Sequence, residues 1–86
     1  MEKNNELPDL VIKTLENNLP IIKKFVIEKV GPAAKEMIKN DEKMKLIFKT
    51  VYNLLPFAVR MVVNENEFVS FCMNNKYMLL DLTEAA

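Results

Sequence analysis

The stretch from Met44 to Val63, MKLIFKTVYNLLPFAVRMVV, limits the possible folds of this chain more than any other segment. Fourteen of its twenty residues are apolar or aromatic, and a single proline, Pro56, divides it. The whole chain has 86 residues, of which Leu, Ile, Val, Met and Phe supply 35. A domain this small buries only ~60–65% of the surface its unfolded chain exposes. Some of those side chains must therefore remain near the surface. Scattered exposed apolar residues are ordinary, but a contiguous group marks a contact face. The mismatch argues for a protein that finishes burying its surface against another copy of itself or against a partner.

Glycine occurs once, and no Asn-Gly or Asp-Gly hairpin signal is present. Apolar residues recur at spacings of three and four, which is helical periodicity. The expectation is one all-α domain, a compact bundle of four to five helices over residues 7–82, with residues 1–6 and 83–86 as flexible tails. Pro8 and Pro20 suit the first positions of two helices, where a missing N–H has no acceptor to lose. The first helix carries Leu7, Val11 or Ile12, Leu15 and Leu19. The second carries Ile22, Val26, Val30, Ala33 and Met37, flanked by Ile21, Phe25 and Ile38. Gly31-Pro32 interrupts it, and the apolar phase predicts a kinked or broken helix there rather than a long loop.

Asn40-Asp41 reads as the start of the third helix, with Asp41 as N-cap. Met44, Ile47, Phe48, Val51, Leu54 and Leu55 form its stripe. Leu46 and Tyr52 fall outside that stripe, so the helix is apolar on more than one side and is either central or in contact with a partner. Pro56 ends it. The following FAVRMVV is read as a short helix, because no second strand exists to pair with an extended alternative. Asn64 to Glu67 forms a capping box for the last helix, which carries Phe68, Phe71, Cys72 and Met78 or Leu79.

The chemistry available is narrow. Histidine is absent, which removes the commonest general base and metal ligand. One cysteine is too few for a disulfide or a thiolate zinc site, and one glycine rules out a glycine-rich phosphate loop. Cys72 lies among Phe68, Phe71 and Met73 and reads as a buried small hydrophobe rather than a nucleophile. The carboxylate pair Glu65 and Glu67 lacks the glycine turn and further oxygen ligands of a calcium loop. No catalytic residue, metal or cofactor is expected, and the chain does not read as an enzyme. Arg60, the single arginine, is the one polar residue inside the apolar run. It is either an anion contact or a snorkelling side chain paired with Glu65, Glu67 or Asp81.

Net charge is zero, but residues 23–60 sum to +5 between ends of −2 and −3. The basic middle, with Lys35, Lys39, Lys45 and Lys49 at helical spacing, offers a weak nucleic-acid surface as an alternative function. Interleaved acids and a pI near 6.3 argue against it, and internal charge balance is the better account. A further alternative is membrane-surface association through the amphipathic residues 20–37. The start of the chain lacks a secretory h-region, and no uncharged run reaches the ~18–20 residues needed to span a bilayer. A cytoplasmic protein is the expectation. The function expected first is a small helical interaction module, self-associating or a subunit or regulator of an assembly. Its contact residues are expected to be Leu46, Tyr52, Phe57, Val59, Met61, Val62 and Val63.

Overall fold

The computed structural model of the chain describes residues 7–82, and the two expected tails lie outside those residues. The fold is all-α, and no strand occurs among the described residues. The helices are α1 (Asp9–Asn17), α2 (Leu19–Val30), α3 (Ala34–Met37), α4 (Asp41–Leu54), α5 (Phe57–Val62), α6 (Glu65–Asn74) and α7 (Lys76–Leu79). A 3-10 turn, Gly31–Ala33, joins α2 to α3. Taking α3 with α2 and α7 with α6 leaves five segments, as the spacing of apolar residues predicts. The radius of gyration is 12.2 Å, close to the ~12 Å of a compact chain of this length.

The central helix is α4, which packs against both α2 and α6, while α5 packs against α1 and α7 against α2. Met44, Phe48 and Val51 of α4 are fully buried between Ile22 and Val26 of α2 and Phe68 and Cys72 of α6 in one core cluster. The Tyr52 and Phe68 rings meet with centroids 5.7 Å apart. No polar or charged residue is buried among the described residues, so the interior carries no desolvation penalty that would need compensation.

The helix ends follow from local chemistry, with small departures from expectation. Asn40, not Asp41, caps α4, its side chain accepting from the Lys43 N–H at 3.1 Å. Asp41 becomes the first helical residue and still meets the positive end of the dipole. Pro8 and Pro56 sit one position earlier than expected, as extended residues immediately before α1 and α5. Pro20 sits one position later than expected, second in α2. The Asn64–Glu67 capping box forms as predicted, with both reciprocal bonds made. Asn18 and Asn75 close α1 and α6 by donating from their amides to Thr14 and Phe71 carbonyls, which helix ends otherwise leave unpaired.

At Gly31 the backbone takes φ 71, ψ −155, a region open to almost no residue but glycine. Proline at 32 keeps residue 31 out of helical geometry, and the chain re-enters helix one 3-10 turn later. The apolar phase shifts there. Ala33 is exposed, whereas Ala34 packs against the core and Ile38 is buried, with Met37 half-buried against the core as expected. The inward stripe is thus Ile22, Val26, Val30, Ala34, Ile38, a step of four throughout. The expected place of Ala33 in that stripe assumes unbroken helical rotation across the turn.

Candidate interaction face

The corner between α4 and α5 arises because Pro56 bars helix at the residue before it. Leu55 and Pro56 are both extended, with ψ 154 and ψ 146. The six residues of α5 are too few to be stable alone and depend on what they touch. Val59, four residues before the fully buried Val63, turns inward and is 5% exposed. These two side chains anchor α5 to the domain. They belong to the chain's own core and are not on its outer face, unlike the surface expected from sequence.

Two side-chain bonds brace the corner in opposite directions. The Tyr52 hydroxyl of α4 donates to the Val63 carbonyl at 2.7 Å, with the Arg60 carbonyl 3.4 Å away. Arg60 of α5 reaches back, its Nε donating to the Leu55 carbonyl at 3.1 Å. Its guanidinium carbon lies 5.8 Å from the centroid of the Phe57 ring, a cation–π distance. Arg60 thus closes the C-terminal end of α4 and covers one side of Phe57. The ion pairs among the described residues are Lys23–Asp81 and Lys76–Asp41. Arg60 is in neither, and Glu67 is occupied by the capping box. Tyr52 is half-buried and serves the corner before any contact face.

What α5 presents outward is Phe57 and Met61, 67% and 72% exposed. They stand four residues apart and so share one face of the helix. Val62 flanks them at the margin of exposure, and Leu54, across Pro56, is also exposed. Spacing alone places Leu54 on the core stripe, and the structure turns it outward. Leu54 ends α4 and lies ~100° round the helix axis from the inward position that Leu55, the residue closing the helix, fills. Leu55 follows Val51 by four and takes the core position. The doubled leucine before a proline was the available sign. Leu46 is exposed as well, but on the side of α4 turned away from Met44, Phe48 and Val51. Leu10 and Ile27 are further exposed apolar side chains, and of the alternatives Met78 and Leu79 it is Leu79 that is buried while Met78 is exposed.

The other expected features resolve simply. Cys72 is fully buried, and burial pushes its thiol far above the ordinary range, so it stays protonated and unreactive. Ile22, Val26 and Val30, the stripe that a membrane-surface role would use, face the core. Lys35, Lys39, Lys45 and Lys49 are exposed. Lys23–Asp81 at 2.7 Å pairs a base of the middle segment with an acid of the last, and Lys76–Asp41 at 2.8 Å pairs the same segments with the charges reversed. No cluster of metal-ligating side chains occurs among the described residues, and no helix there is long and apolar enough to cross a membrane. Comparison with known families, curated proteins and solved structures found no match for this chain.

Proposed function

We propose that this chain is a small non-catalytic helical interaction module, which self-associates or serves as a subunit of a larger assembly. One observation carries the reading. Phe57 and Met61, two of the largest apolar side chains available, stand side by side and exposed on a helix whose opposite side is anchored in the core. Both side chains lose water contact only if something covers them, and an aromatic beside a methionine is a common composition for interface centres. The brace from Tyr52 and Arg60 supports the same reading, since it fixes α5 in advance and lowers the ordering cost of binding.

A photo-cross-linking residue at position 61, with one at Leu46 as control, tests the proposal in extract of the source cells. The expected result is a discrete protein adduct from position 61 and none from position 46. An absence of adduct from position 61, with the variant folded by circular dichroism, rejects the face.

A further inference from the structure

We infer that the occupant of the α5 face is a second copy of the chain, with the two α5 helices antiparallel about a twofold axis so that Phe57 of each meets Met61 of the other. This rests on the interaction reading above and names its partner. Three observations carry it.

The first is area. Leu54, Phe57, Met61 and Val62 at their observed exposures offer on the order of 400 Å² of apolar surface, within the ~300–600 Å² of the largest patch on a monomer, which is often functional. Two such faces enclose roughly 800 Å², which with a polar rim approaches the ~1,000 Å² of a small specific interface. The face is thus matched in size to a weak dimer with its own kind.

The second is charge. A twofold axis brings like residues near one another, so a charged face repels its own copy. Between Thr50 and Asn64 the one charged residue is Arg60, and its guanidinium is turned onto the Leu55 carbonyl and the Phe57 ring. The chain as a whole has no net charge, so no long-range repulsion holds two copies apart.

The third is placement. Phe57 and Met61 lie symmetrically about Val59. Antiparallel pairing centred there sets thioether against aromatic ring twice over, a favourable contact.

Sedimentation of the purified full chain up to about 1 mM, the affinity range of small interfaces, tests this directly. The expected result is a reversible monomer–dimer equilibrium. Phe57→Lys and Met61→Glu, each folded by circular dichroism, weaken it at least about tenfold. Leu46→Glu leaves it unchanged. An equimolar mixture of Phe57→Lys and Met61→Glu restores dimers, because lysine then meets glutamate at one contact while phenylalanine meets methionine at the other. Three results overturn the inference: a wild-type chain monomeric throughout, a dimer indifferent to both substitutions, or a mixture that fails to restore it. If the wild type is monomeric while position 61 cross-links to a different polypeptide, self-association fails and the interaction module stands. If position 61 is also silent, both fail.

Discussion

Tyr52 shows how one side chain decides the geometry of the candidate face. Its ring packs on Phe68 while its hydroxyl holds the Val63 carbonyl, so a single residue of α4 fixes both α5 and the start of α6. Tyr52→Phe keeps the packing and removes the bond. The expected cost is about 1 kcal/mol, read as a melting temperature lower by roughly 4–8 °C in a domain of this size. An unchanged melting temperature would mean that the hydroxyl contributes nothing to the corner. Arg60 was legible in sequence as unusual, but its role was not. A lone arginine among apolar residues signals a local task, and only the turn at Pro56 shows that the task is to close a helix end and lie over Phe57.

At the scale of elements, helical spacing and capping residues made most of the fold readable in advance. The Asn64–Glu67 box, the proline breaks and the central place of α4 follow from residue types at fixed offsets. The inner and outer sides of α5 were not readable. Six of the seven residues from Phe57 to Val63 are apolar and the one polar marker, Arg60, stands between the two sides, so Val59 and Val63 could not be told from Phe57 and Met61 until α1 and α4 were in place. The distinction is testable. Val63→Glu buries an unpaired charge and should abolish the cooperative thermal transition. Met61→Glu, at an exposed position, should shift stability by no more than about 0.5 kcal/mol in dilute solution. Equal damage from both would contradict the orientation of α5. Gly31 supplies a second test. A Cβ there would meet nothing within 4 Å, so the penalty of Gly31→Ala is purely backbone. It should cost about 1–3 kcal/mol, seen as an earlier urea midpoint with an unchanged slope. A neutral effect would mean the break does not need glycine.

At the scale of the molecule, two ion pairs among the described residues join distant parts of the chain, and both lie at the surface. The Lys76 ammonium, by hydrogen bond and then by charge, holds the Asp41 carboxyl below its ordinary value. A lowered folded-state value stabilises above the unfolded value, near ~3.9, and the stabilisation fades as pH falls through the folded value. Asp41→Asn should therefore lower the melting temperature slightly near neutrality and flatten its decline below about pH 5. A decline identical to wild type would remove Asp41 from the acid response. The larger matter is the apolar surplus of a short chain, which the fold divides between a dry core, the outer side of α5 and scattered exposed side chains such as Leu10 and Leu46. Oxidative footprinting of methionines tests that division most directly. Met44 is fully buried, Met61 the most exposed of the large apolar side chains among the described residues and Met78 intermediate between them. In dilute protein Met61 should oxidise fastest and Met44 slowest. In concentrated protein, or with the natural partner present, Met61 alone should become protected while Met78 keeps its rate. Protection of Met78 with Met61 still fully reactive would contradict the account.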